Sequence, residues 1–162
     1  MAPLNDLQTA FLASLPTFDS TNTSFHAASC HCGAIQYTVT LSPPLPLQKV
    51  GSCNCTICTK NGYLLLYPRR QDVVIHQGEE ALKSHSFGQK QLLHRFCGAC
   101  GSSVWHDPRL KTLGEEMPDL LGLNVRMLKG VKLEELDIVA FDGYGNYPFI
   151  GDSAHLQEVT TP

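Results

Sequence analysis

The chain has 162 residues, 43% of them hydrophobic and 17% charged, with a formal charge of −3 and a pI near 6.1. That length suits one domain with a core of its own, and the composition is that of an ordinary globular protein. The densest positive spot is Arg69-Arg70, which excludes a nucleic-acid footprint built on clustered Lys and Arg, and no apolar run approaches the ~20 residues of a membrane-spanning helix.

In chain order, residues 1–24 read as an N-terminal arm. Within it "LNDLQTAFLASL" spaces Leu4, Leu7, Phe11, Leu12 and Leu15 roughly as a helix does, and Pro16 ends the pattern. The arm is expected to be a short helix packed on the domain or a loosely ordered tail, and nothing in it suggests chemistry. No Lys or Arg precedes its apolar stretch, so it lacks the basic start of a secretory signal. "EVTTP" carries no lipidation or retention signal, and a cytoplasmic location is expected.

From Phe25 the pattern becomes strands and turns, and residues 25–150 read as the domain proper. "GAIQYTVTL" alternates Ile35, Tyr37, Val39 and Leu41 on one face, as a half-buried strand does. "PPLP" at 43–46 ends it. "YLLLYP" (63–68) is a continuous apolar run bounded by Gly62 and Pro68, the signature of a buried strand. "DVVIHQG" is another strand, "EALKSHSFG" and "KQLLHRFC" are two strands about a turn at Gly88, and "SSVWHDP" is a further one. "LLGLNVRML" and "LDIVAFDG" add apolar segments, with a single helical turn expected in "KGVKLEEL" between them. Residues 151–162 form a polar tail. The fold class expected is mainly β, with short strands and knuckle-like loops.

The seven cysteines are Cys30, Cys32, Cys53, Cys55, Cys58, Cys97 and Cys100. Their number is odd and their spacings are C-x-C, C-x-C-x-x-C and C-x-x-C. In a reducing compartment such spacing reads as metal ligation rather than disulfides. Zinc prefers thiolate sulfur and takes four ligands in structural sites. Cys53, Cys55 and Cys58 form a natural tridentate loop, leaving Cys30 and Cys32 to pinch one metal from a strand together with Cys97 and Cys100, where Gly98 and Gly101 free the backbone. A second partition, joining Cys55 and Cys58 to Cys97 and Cys100 as a zinc ribbon, is also compatible with the spacing. An iron–sulfur cluster fits less well, because no single loop carries the usual four-cysteine run.

In this order, "CHCGAIQYTV", "CNCTICTKNG", "PRR", "FGQKQLLHRFCGACGSSV" and "LNVRML" resemble the glutathione-dependent formaldehyde-activating enzyme family, also called the GFA or CENP-V domain. The resemblance runs from about His26 to Phe149. It implies an Mss4-like fold, several small antiparallel sheets around zinc sites. It also implies two Zn²⁺ per chain, with Cys30, Cys32, Cys97 and Cys100 on a structural zinc and Cys53, Cys55 and Cys58 on a catalytic zinc. The activity implied is the reversible condensation of glutathione with formaldehyde to S-(hydroxymethyl)glutathione, a reaction of the carbon–sulfur lyase class.

A zinc with three protein ligands leaves one position for a substrate thiol, which loses its proton there and adds to a carbonyl held beside it. Displacement of one cysteine by the incoming thiol is the alternative. Proton carriers are sought among His31, His94, Arg95, His106 and Asp107. Arg95 or Arg69-Arg70 could pair with glutathione carboxylates, Lys60 could temper the site's charge, and Trp105 reads as core. The partners expected are a small-molecule thiol, glutathione as co-substrate, and an electrophilic carbon, with no nucleic acid and no membrane. The rival readings are a related enzyme of specialised metabolism with a larger substrate, a non-catalytic zinc module binding a protein or chromatin, and a zinc or thiol-redox buffer.

Overall fold

A computed structural model describes residues 6–88 and 90–146. Its elements are α1 (Asp6–Ser14), β1 (Ser24–Ser29), β2 (Gln36–Leu41), β3 (Lys49–Cys53), α2 (Thr56–Asn61), β4 (Leu65–Leu66), β5 (Val73–Gln77), β6 (Leu82–Phe87), β7 (Leu92–Cys97), β8 (Ser103–Asp107), β9 (Gly122–Asn124), β10 (Asp137–Phe141) and α3 (Gly143–Asn146). The strands form a three-stranded sheet, β1-β2-β5, and a seven-stranded sheet, β10-β3-β4-β9-β8-β7-β6. The fold is mainly β, as the turn-punctuated pattern predicts. All pairings are antiparallel except one: β10 lies parallel to β3, with Phe141 opposite Cys53.

Alternation in "GAIQYTVTL" sets the packing. Ile35, Tyr37, Val39 and Leu41 are each 2% exposed or less, because strand side chains two apart share a face. The small sheet presents this face to the large one, and the Tyr37 ring meets Trp105 of β8 edge-on at 5.3 Å. Trp105 is therefore a core residue, as the sequence reading expects. The small sheet is also tied to the segment after β9 through Ala28, which bridges to Leu128, and Ala27, whose carbonyl accepts from Lys129 N–H at 2.8 Å.

At the centre of the large sheet, Asn124 is buried and fully used. Its Nδ2 donates to the Ser103 carbonyl at 2.9 Å, and its Oδ1 accepts from the backbone N–H of Leu64 and Arg126. A buried amide satisfied on both ends fixes the strands around it.

Two local expectations change, at "YLLLYP" and at Cys30 and Cys32. "YLLLYP" is buried almost throughout, yet only Leu65–Leu66 enters the ladder as β4, because Tyr63 N–H is held by the Cys58 carbonyl and the run continues as irregular backbone. "LLGLNVRML" supplies only β9 before a 3₁₀ turn over Val125–Met127. Cys30 and Cys32 lie in the turn between β1 and β2 rather than within a strand. Strands β1 and β3 are additions to the predicted set. The helical turn expected in "KGVKLEEL" is the 3₁₀ turn Leu133–Glu135. The polar tail assigned to 151–162 lies outside the described residues.

Candidate functional site

The seven sulfurs gather as two groups, Cys30 with Cys32, Cys97 and Cys100, and Cys53 with Cys55 and Cys58. Within each group the ligand atoms all lie within 4.8 Å of one another.

The four-sulfur group sits on two turns from different sheets. One turn follows β1 and the other joins β7 to β8. Each places a glycine with φ +77° directly after a cysteine, Gly33 after Cys32 and Gly101 after Cys100. That left-handed conformation suits glycine because it has no Cβ. Ser102 couples the turns: its hydroxyl accepts from the His31 N–H at 3.0 Å and lies 3.2 Å from the Cys100 sulfur. The Ser102 hydroxyl also draws the Cys100 thiol down to about 5. Cys32 lies 3.6 Å from Cys30 and 3.8 Å from Cys97. A tetrahedral shell with metal–sulfur bonds of about 2.3 Å has edges of about 3.8 Å, so this spacing fits a metal ion. His31 itself is exposed.

The three-sulfur group is local. β3 ends at Cys53, Cys55 caps the N-terminus of α2, and Cys58 lies on its first turn. Backbone N–H groups of Cys55 and Gly143 bond to the Cys53 sulfur. Gly143 packs so tightly that a methyl built on it would overlap that sulfur. Asn54 locks the two segments together: its Nδ2 donates to Asp142 at 2.8 Å, and its Oδ1 accepts from Tyr144 N–H at 2.9 Å.

The parallel pairing of β10 with β3 is what delivers Gly143 to Cys53. Hydrogen bonds from Cys55 and Cys58 pull the Cys53 thiol down to about 3, while bonding to Cys53 pushes Cys55 and Cys58 up. A cation would let all three ionise, so the donor set also fits a metal ion.

The groups differ in what they face. Cys53, Cys55 and Cys58 line a cavity of about 170 Å³, and none of the other four cysteines does. His106 lines the same cavity from β8. It is buried, its Nδ1 has no hydrogen-bond partner, and burial pushes its pKa down to about 4. Its register partner is Gly122, where any side chain would overlap the imidazole. Behind it, Tyr63 stands edge-on to both His94 and His106, with its hydroxyl 2.6 Å from His94 Nδ1.

Of the other candidates, Asp107 and Arg70 are bonded to each other at 2.9 Å, and Arg70 also holds Asp119. Arg69 pairs with Asp72 and lies over the Phe18 ring. Arg95 has its Nε buried without a partner, and Lys60 is exposed. None of these five lines the cavity, and neither does His94.

Sequence reasoning missed the cavity walls. Phe11 of α1 packs edge-on to Tyr67 at 4.8 Å and reaches Phe141 at 6.1 Å, so the arm, read as chemically idle, roofs the three-sulfur group. The helical spacing of Phe11 and Leu12 marked an apolar face but not its destination. Gly122 and Gly143 carried no spacing signal at all.

Comparison with known proteins agrees with this architecture. Residues 25–130 match the family model described as glutathione-dependent formaldehyde-activating enzyme. A curated protein of Halomonas elongata, provisionally named a glutathione-dependent formaldehyde-activating enzyme, is 31% identical over 90 residues, covering 50% of this chain and 55% of the relative. The chain thus spans about half the length of the curated relative it matches. A crystal structure of a Rhodobacter sphaeroides protein superposes with a TM-score of 0.57 at 30% identity, covering 70% of this chain and 97% of that one. With the family model spanning most of the chain, this protein belongs to the glutathione-dependent formaldehyde-activating enzyme family.

Proposed function

We propose that the chain is a zinc-dependent enzyme that makes and breaks carbon–sulfur bonds between a thiol and an aldehyde carbon, glutathione being the thiol that the family points to. Cys30, Cys32, Cys97 and Cys100 would hold a structural zinc that ties the two sheets together. Cys53, Cys55 and Cys58 would hold the second zinc, with a position left for substrate. The observation that carries this reading is the cavity: only the three-sulfur group opens onto it.

Zinc bound there supplies the positive charge beside which a thiol sheds its proton and becomes a nucleophile. The chain's own residues do the rest. The Gly143 N–H and the Asn54 bonds fix the Cys53 sulfur. The largely apolar walls disfavour water beside the reacting pair. In the forward direction the sulfur forms a bond to the carbonyl carbon, the C=O π electrons move to oxygen, and the proton lost by sulfur ends on that oxygen. His106 lines the cavity and its buried Nδ1 has no hydrogen-bond partner, so on this reading it is the side chain that would hold the proton in transit. The reverse reaction retraces these moves and releases thiol and aldehyde.

The test is exchange spectroscopy of glutathione with formaldehyde, and with larger aldehydes, over zinc-loaded protein. Accelerated adduct formation that Cys55→Ala abolishes supports the reading. Exchange no faster than in buffer, across several thiols and aldehydes, overturns it.

A further inference from the structure

The walls of the cavity are apolar well beyond what a one-carbon electrophile requires. Phe11 and Leu12 of α1, Leu92 of β7, Leu110, Leu113 and Phe141 all face it, and among the described residues no Lys, Arg, Asp or Glu side chain lines it. Apart from the cysteines, its described polar side chains are Gln8, Tyr67, Gln91 and His106. The Gln91 amide already donates to the carbonyls of Pro108 and Arg109 and to the Thr112 hydroxyl. Neighbouring arginines are committed as well: Arg70 to Asp107 and Asp119, Arg69 to Asp72, and Arg109 to the backbone of Lys90 and Gln91. A tripeptide with two carboxylates and an ammonium finds no partner inside, and an unpartnered buried charge is strongly disfavoured. Formaldehyde, for its part, leaves nearly all of the space unfilled.

The volume suggests what does fit. An apolar cavity of roughly 150 Å³ holds a benzene ring, and this one measures about 170 Å³. Small-molecule sites typically combine such walls with a few polar groups that orient the reacting end. Here those groups are Cys53, Cys55, Cys58 and His106, gathered on one cavity.

We propose that the cavity holds the carbon substituent of the electrophile, so that the substrate is an apolar aldehyde with a substituent the size of one aromatic ring, or the thiol adduct of such an aldehyde. This rests on the carbon–sulfur reading above and narrows it. The charged body of the thiol stays outside with only its sulfur reaching in. As the C–S bond forms, the sulfur's proton passes to the carbonyl oxygen and nothing is oxidised or reduced.

Two measurements on the zinc-loaded chain test it together. The first compares kcat/KM for benzaldehyde and formaldehyde with glutathione as thiol. The second titrates benzyl alcohol, which cannot react, and follows binding by calorimetry and ligand-observed NMR. Expected are a kcat/KM at least about tenfold higher for benzaldehyde, and saturable benzyl alcohol binding that Leu113→Glu or Leu110→Glu weakens at least about tenfold. Retained metal content shows that each variant folds. Equal or better turnover of formaldehyde with no benzyl alcohol binding overturns the proposal and leaves the carbon–sulfur reading standing. Benzyl alcohol binding that the glutamate variants abolish, with neither aldehyde turned over, supports an apolar ligand in the cavity and overturns the carbon–sulfur reading instead.

Discussion

The two cysteine groups use the same ligand atoms for opposite ends. Cys30, Cys32, Cys97 and Cys100 come from turns separated by most of the domain's core, one in each sheet, and they answer each other through Ser102. Cys53, Cys55 and Cys58 come from six consecutive residues, close nothing at long range, and face a cavity. A metal in the first group reduces the freedom of the unfolded chain and couples the two sheets. A metal in the second has little topology to hold and a position to spare. On the function proposed above, long-range closure with four ligands would serve stability and local closure with three would serve chemistry.

Substitutions should separate the two most sharply at the ligands themselves. Cys97→Ala is expected to leave the chain without a cooperative unfolding transition, because apparent binding free energies of structural zinc are on the order of 10 kcal/mol. Circular dichroism melts and metal analysis check this. Cys55→Ala should instead keep the fold, lose one metal and lower turnover by more than about a hundredfold, since even changes outside the ligand shell cost about 10–100-fold at metal sites. Equal damage from the two substitutions would erase the distinction.

Gly143→Ala sharpens the comparison without touching a ligand. The added methyl overlaps the Cys53 sulfur, so affinity for the second metal should fall by about 10–100-fold while the first metal stays bound. Competition with a chromophoric chelator measures both sites in one titration. Phe11→Ala should cost about 1–2 kcal/mol in a urea titration, less than a full core truncation because the ring is half-buried against Tyr67.

A further effect is on pH dependence, and it comes from His94. Burial holds His94 at about 4, below its ordinary 6.5. The unfolded chain therefore binds the extra proton first as pH falls. Stability is full above about pH 6.5 and declines as pH falls toward 4. Replacing His94 by Leu should flatten that part of the urea-midpoint profile, after allowing for the loss of the Tyr63 hydroxyl bond.

Much of this was legible in the chain because it was local. Alternation at Ile35, Tyr37, Val39 and Leu41 gave a buried face directly, and C-x-C-x-x-C gave a tridentate loop. Spacing left the partition of all seven cysteines open, a ribbon of Cys55, Cys58, Cys97 and Cys100 included, because a turn at Cys30 and a turn at Cys97 meet only through the packing of two sheets. The cavity was invisible for the same reason. Phe11, His106 and Phe141 belong to distant elements, and Gly122 and Gly143 matter for a side chain they lack. Nothing in a linear pattern marks a residue whose function is to leave room for His106 or Cys53.

The most direct test of the contrast is metal content per chain combined with zinc-edge X-ray absorption, before and after adding glutathione. Expected are about two zinc ions per chain and a mean of between three and four sulfurs per zinc, rising to four when the thiol is added. A single zinc, or two zincs whose sulfur count does not respond to any thiol, would contradict the claim that the Cys53, Cys55 and Cys58 group is held open for substrate.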